Sequence, residues 1–217
     1  MEASRSQRRR QRTRAALVGA ARELLIRRDP ATVSIKEITE TADVGFGSFY
    51  NHFESKDDVF AAAIIDVLDE HGAMLDELTA GLDDPAEVFA ASVRITARFP
   101  RTRPDLAAIM VRTGPSYLAS DRGLAPRALR DLERAKDAGR LQFTDALIAL
   151  ACVGGALMGV VHTFGSRRRD VDRAADELTY NLLRMFGLAA PEARVLVARP
   201  LPKPRRRARP ATTGEPG

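Results

Sequence analysis

Apolar residues recur at helical spacing through most of this chain, and the breaks between stripes mark out its elements. Over residues 13–28, Leu17, Ala20, Ala21 and Leu24 share one face while Arg22 and Glu23 turn away, which predicts a first helix. Asp29-Pro30 ends it, because proline has no amide to donate and disfavours helix in the residue before it. Ser34 with Glu37 three residues later has the form of a capping box, and Val33 can staple against Ile38. A second helix therefore starts there, with Ile35, Ile38 and Ala42 on its inner face. Asp43 occupies the turn, where tolerance of the left-handed backbone region is useful, and Gly45 caps a third helix beginning at Gly45 or Phe46.

The third helix faces two ways. At about 100° per residue, Phe46, Phe49 and Phe53 fall within one apolar arc, and Gly47, Ser48, Asn51 and His52 fall opposite. An element buried on one face and small and polar on the other suits the major groove of DNA. Two short helices joined by a tight turn, the second with such a face, form a helix-turn-helix. Ser55 opens a fourth helix, with Asp57 and Asp58 in its first turn, running through Ile64, Ile65, Val67 and Leu68 to about Ala80. Lys56 stands against the helix dipole, at a cost of roughly a few tenths of a kcal/mol that an external anion such as a DNA phosphate would reverse. A solvated surface lysine is the alternative.

Past Gly81 the helical segments lengthen, near 85–99, 104–112, 124–138, 143–165 and 170–187, with no sustained strand alternation and no internal repeat. The predicted fold is all-α, an N-terminal three-helix helix-turn-helix domain followed by a helical body. Residues 146–161 carry no polar or charged side chain apart from the Cys152 thiol. A membrane span needs roughly 20 residues, more than this run supplies, and Asp145 and His162 bracket it. A helix buried all round by protein is the reading. Gly155 and Gly159 admit close approach of another backbone, and the next helix aligns Val171, Ala175, Leu178, Leu182 and Met185. Gly155, Gly159, Leu178, Leu182 and Met185 are thus candidates for a bundle completed by a second copy of the chain. Filling the core of a single copy is the alternative.

Composition sharpens this picture. At 217 residues and 45% hydrophobic, the chain can fill one domain or two small ones. Cys152 is the only cysteine, so an intrachain disulfide and a thiolate zinc cluster are excluded, and a reducing, cytoplasmic setting is expected. The Arg-rich start does not resemble a secretory signal. Net charge is +5 overall, but residues 1–14 hold six Arg against one Glu and residues 194–217 seven basic against one acidic, leaving −6 for the body. Such basic ends read as arms for a polyanion, or as solubilising tails. Residues 1–12 are expected to be a disordered arm, and 191–217, holding the Arg205-Arg206-Arg207 run, a disordered tail.

A catalytic reading has nothing to stand on: there is no phosphate loop, no nucleophile elbow, and Gly45-Phe46-Gly47 lacks the preceding strand of a dinucleotide fingerprint. His52, His71 and His162 lack the spacing of a helical metal site, with a cross-chain site through His71 or His162 as the alternative. Neither a cofactor nor a resident metal is expected, and the chain is not read as an enzyme.

The segment from Thr32 to Phe60 resembles the DNA-binding domain of the tetracycline-repressor (TetR) family. The specific part is Tyr50-Asn51-His52-Phe53 followed by Glu54-Ser55-Lys56, with the helix-turn-helix before it. Asp43 stands where the family commonly has glycine, and Gly45 where it has a Ser or Thr cap. The resemblance implies a homodimeric transcription factor, most often a repressor. Residues 13–58 would bind DNA, and residues 59–190 would form a ligand-binding and dimerisation domain. Carried over by position, Phe46, Gly47, Ser48, Tyr50 and Asn51 would face bases or nearby backbone, His52 and Lys56 would hold phosphates, and the helix start at Ser34 would bring amides to another phosphate. This sends Phe46 toward the groove, whereas the helical projection places it inward.

The expected partners are a double-stranded, palindromic DNA operator, a second copy of the chain and a small, mostly apolar effector, with no membrane. Arg8, Arg9, Arg10, Arg12 and Arg14 would follow the DNA backbone or enter a minor groove. Phe89, Val93, Phe99, Met110, Tyr117, Phe143 and Leu147 are candidates for the effector pocket, each with plain core as its alternative. A basic-armed structural nucleic-acid-binding protein without an effector site is the rival reading.

Overall fold

The computed structural model describes residues 5–114, 121–165 and 169–203. Among them the chain forms eleven α-helices and no strand. Arg5–Arg27 (α1) leads through a short 3-10 turn, Pro30–Thr32, into Ile35–Thr41 (α2), Phe46–Phe49 (α3) and Lys56–Thr79 (α4). Ser34 and Ser55 each cap the helix that follows through a reciprocal capping box, with Glu37 and Asp58 respectively. Asp43 adopts the left-handed region, φ 53°, which turns α2 onto α3. Leu17, Ala21, Leu25, Ile38, Phe49, Phe53, Val59 and Phe60 are buried together, so these four helices close over one apolar interior.

The remaining helices are Pro85–Ala97 (α5), Phe99–Thr102 (α6), Pro104–Thr113 (α7), Leu124–Asp137 (α8), Ala146–Phe164 (α9), Val171–Met185 (α10) and Ala190–Ala198 (α11). Phe99, Leu106, Ile109 and Met110, from α6 and α7, join the interior under α1 and α4. α5, α8, α9, α10 and α11 surround a second interior built on Phe89, Val93, Leu132, Leu150, Leu182, Leu183 and Phe186. The two interiors meet along α4, which packs on α1 as well as on α5 and α8.

Four expectations need correction. The arm is helical from Arg5 onward: α1 continues outward through Arg and Gln, good helix formers, with no Pro or Gly to stop it. Residues 191–198, expected to be disordered, belong to α11 because Ala193 and Leu196 bury one face against the body, while Glu192 pairs with Arg140 and Arg199 with Glu87. The helix over 146–161 is not buried all round. Ala149, Leu150, Val153, Leu157 and Val161 face inward, but Leu147 and Ile148 are each 63% exposed and Ala151, Cys152, Gly155, Gly159 and His162 lie on the same outer side. Finally, Leu178 and Leu182 belong to the interior of the single chain, at 9% and 4% exposure, because α10 turns that stripe onto α5. Gly155, Gly159 and Met185 remain on the surface.

Candidate DNA-binding face and ligand cavity

The first candidate site is the outer side of α3. Gly45 starts the helix without a side-chain cap, and Phe49 anchors it at 0% exposure with Phe53 beside it, ring centroids 5.9 Å apart. Phe46 and Tyr50 are outside, 52% and 56% exposed, and meet edge to face at 6.0 Å. The inward projection of Phe46 is therefore corrected: a first-turn residue on a four-residue helix has no neighbouring element to cover it. Gly47 is exposed between them, and a Cβ there would meet nothing within 4 Å.

Beside α3 the outward run of α1 creates a polar notch lined by Ser6, Arg9, Arg10 and Thr13 on one wall and Ser48, Asn51 and His52 on the other. Arg10 donates to the Asn51 carbonyl at 3.4 Å, and the Arg14 guanidinium lies 5.1 Å from the Phe53 ring centre. Partial burial, then the Arg10 and Arg14 charges, hold His52 below the usual histidine range. Arg8 and Arg12 lie exposed on the same run. Ser34 is exposed at the start of α2, but its hydroxyl is engaged with Glu37, so its surface contribution is the helix end itself.

Lys56 departs from its expected role. Its ammonium donates to the carbonyls of Pro30, Ala31 and Val33 at 3.3, 2.9 and 3.2 Å, which uses all three N–H donors. The negative end of the 3-10 turn, rather than an external phosphate, offsets the dipole cost at the start of α4. Lys56 thus fixes where α2 begins relative to α4.

The second site is a cavity of about 70 Å³ between α4, α5, α8 and α9. Leu75, Phe89, Val93, Leu124, Ala128, Leu132, Leu150, Val153 and Leu157 give it apolar walls. Ser92 and Thr96 add hydroxyls from α5, and Asp76, Arg127 and Asp131 form a charged rim between α4 and α8. Asp76 accepts from Arg127 and, at 2.7 Å, from Arg130, which also pairs with Asp131 at 2.8 Å. Burial raises the Asp131 carboxyl above the usual carboxylate range, against the lowering pull of Arg130. One turn from the cavity, His71 is pressed between Phe99, with rings 4.4 Å apart, and Thr96, 2.9 Å from Nε2. The Thr96 hydroxyl donates to Ser92, so Nε2 carries the histidine proton and Nδ1 is the bare acceptor.

Of the pocket residues read from sequence, only Phe89 and Val93 line this cavity. Phe99 and Met110 sit in the interior under α1, Phe143 packs on Phe186 with centroids 5.5 Å apart, and Leu147 is on the surface. Tyr117 lies outside the described residues. The polar rim was missed, because its members meet only through the packing of α8 on α4. Ser92 and Thr96, four apart on α5, were the available signal. Among the described residues no group of three metal-ligating side chains comes together.

This architecture is shared. Residues 17–63 match the family of bacterial regulatory proteins known as tetR, and residues 84–199 match the tetracyclin repressor-like C-terminal domain. The chain belongs to the TetR family. The TetR regulator RolR, solved with its ligand resorcinol, is 34% identical and superimposes with a TM-score of 0.75, covering 91% of this chain and 99% of RolR. SmeT, the repressor of the Stenotrophomonas maltophilia multidrug efflux pump SmeDEF, shares the TetR fold at 22% identity, with a TM-score of 0.64 over 89% of this chain and 97% of SmeT. An uncharacterized HTH-type transcriptional regulator of Mycobacterium tuberculosis is 29% identical over 99 residues, 46% of this chain. The matched stretch spans 49% of that relative's length.

Proposed function

We propose that this protein is a homodimeric, cytoplasmic transcriptional repressor that lets go of its operator when a small, ring-sized, mostly apolar ligand enters the cavity. The observation that carries this reading is the placement of both sites on one helix. α4 begins beneath the DNA-facing α3 and, 24 residues long, ends in the cavity wall, a rod of about 36 Å. On this reading Phe46, Gly47, Ser48, Tyr50 and Asn51 meet base edges and nearby backbone. His52, Arg9, Arg10 and the amides at Ser34 meet phosphates, and Arg8 and Arg12 extend the contact along the duplex.

The exposed apolar side of α9, with Gly155 and Gly159, and Met185 of α10 would bury against a second copy of the chain. That pairing puts two reading heads on a palindromic site, one or more helical turns apart. RolR binds resorcinol, a single ring with two hydroxyls, and such a ligand suits the apolar walls and the charged rim here. The cavity is about half the size of the roughly 150 Å³ hole that admits benzene in an engineered protein. A ring therefore enters only as the walls yield, and α4 is one of those walls. Ligand and DNA then favour different positions of α4, which is the differential affinity that coupling requires.

Binding of the purified protein to the DNA flanking its own gene, followed by footprinting and a resorcinol titration, tests the proposal. A short palindromic footprint lost on titration is expected. Uniform, low-affinity coating of any duplex, insensitive to small aromatic ligands, would instead support a structural nucleic-acid binder.

A further inference from the structure

α4 contains one glycine, Gly72, buried in mid-helix, where glycine is less favourable than alanine. The local reason is visible on its outer side. A Cβ at this position would lie 2.5 Å from Cδ and 3.0 Å from Nε of Arg127. The Arg127 side chain of α8 crosses α4 through the gap that Gly72 leaves, and its guanidinium is held at both ends. It donates to Asp69 at 3.1 Å and to Asp76, which stand about one turn to either side of Gly72 on the same face. Gly72, Asp76 and Arg127 all line the cavity, so the crossing side chain closes its α4–α8 seam. Within the same span of α4, between Asp69 and Gly72, Glu70 pairs with Arg22 of α1 at 2.8 Å. The strap therefore ties the body to a turn of α4 that is itself tied to the DNA-binding head.

We propose that Gly72 is a specificity-determining position. By leaving a saddle in α4 it seats Arg127 as a strap, and a ligand must compete with that strap for the Asp76 carboxylate. This inference rests on the effector reading above and deepens it. A ligand that offers hydroxyl donors exchanges with Arg127 at Asp76 and loosens the tie between α8 and α4. A plain hydrocarbon of equal size leaves the tie in place. Gly72 touches no base or phosphate in this scheme; it acts through Arg127 and is a positioning residue.

The test uses the full-length protein, resorcinol as probe, and the variants Gly72→Ala, Arg127→Ala and the double substitution. Release is measured as the resorcinol concentration that halves operator occupancy, normalised to each variant's own operator affinity. In folded Gly72→Ala the strap is already displaced, so resorcinol has no tie left to loosen and no longer favours the released state; at least about tenfold more of it is expected to be needed than for the unaltered protein. Thermal unfolding supplies a second readout that requires no ligand. Gly72→Ala should lower Tm when Arg127 is present, through the collision, and raise it in the Arg127→Ala background, where only the helix preference for alanine is left. A Tm that rises in both backgrounds, or a folded Gly72→Ala that releases at the unaltered concentration, would overturn the inference. Failure of the unaltered protein to respond to resorcinol sinks the effector reading and the sensing role with it. The sign of the Tm change then decides alone whether Gly72 seats Arg127.

Discussion

The DNA-facing head and the ligand-facing body are closed by opposite means. Between Ser34 and Asp58 the head is held mainly by neighbours in sequence: two capping boxes, the left-handed Asp43 and Phe49 against Phe53, with Lys56 adding one longer reach back to the Pro30–Thr32 turn. The body draws its cavity walls from Gly72 to Leu157, four helices far apart in sequence, and leaves a hollow between them. The difference fits the two tasks, since a reader has to hold side chains in fixed register with a groove and a sensor has to have walls that can yield.

Removing the head's anchor should show the contrast most strongly. Phe49→Ala is expected to cost about 3–5 kcal/mol and to abolish operator binding, read by urea unfolding and gel shift. Acid should come next, acting where the two regions join along α4. Burial, with a smaller contribution from the Arg103 charge, pushes His71 down to about 3, whereas in the unfolded chain it titrates near 6.5. Between those values the unfolded state binds a proton that the folded state refuses. Its contribution to stability is therefore complete above about pH 6.5 and falls by about 1.4 kcal/mol per unit below it. His71→Gln should flatten that part of the urea midpoint profile between pH 7 and 5.

Lys56→Met sharpens the comparison at the head's own seam. Losing a charged donor to three carbonyls should cost about 1.5–3 kcal/mol, while the slope of log operator affinity against log salt stays unchanged. A slope shallower by about one per protomer would return Lys56 to a phosphate. The smallest effect belongs to the hollow. Val153→Leu adds one methylene to a cavity wall and should raise stability by about 0.8 kcal/mol in urea unfolding while weakening the response to resorcinol. The same added volume inside the head would have no room to occupy.

Legibility in the sequence follows the same division. The caps at Ser34 and Ser55, the turn at Asp43 and the inward Phe49 and Phe53 could be read because each depends on residues a turn or two away. Phe46 was misread by periodicity, since one helical turn has too few neighbours to define an inside. Lys56 was recognised as anomalous, but its partners lie about 25 residues back in a turn whose path no local pattern predicts. The cavity was nearly illegible. Asp76 and Arg127 are 51 residues apart, and only the docking of α8 on α4 brings them together. Ala193 and Leu196 were lost in a proline- and arginine-rich context, although two apolar residues three apart suffice to dock a short helix onto an existing surface.

The unbroken course of α1 has a mechanical consequence. Its 23 residues form a lever of about 34 Å with Arg5 at the free tip, and near the other end the Leu25 carbonyl accepts a hydrogen bond from Arg112 of α7. A tilt of about 10° about that inner end sweeps the tip through about 6 Å, nearly twice the roughly 3.4 Å of helix axis that each phosphate of one strand occupies. On the proposed reading, a small tilt at the fulcrum would take the arginine tip out of phase with the DNA backbone.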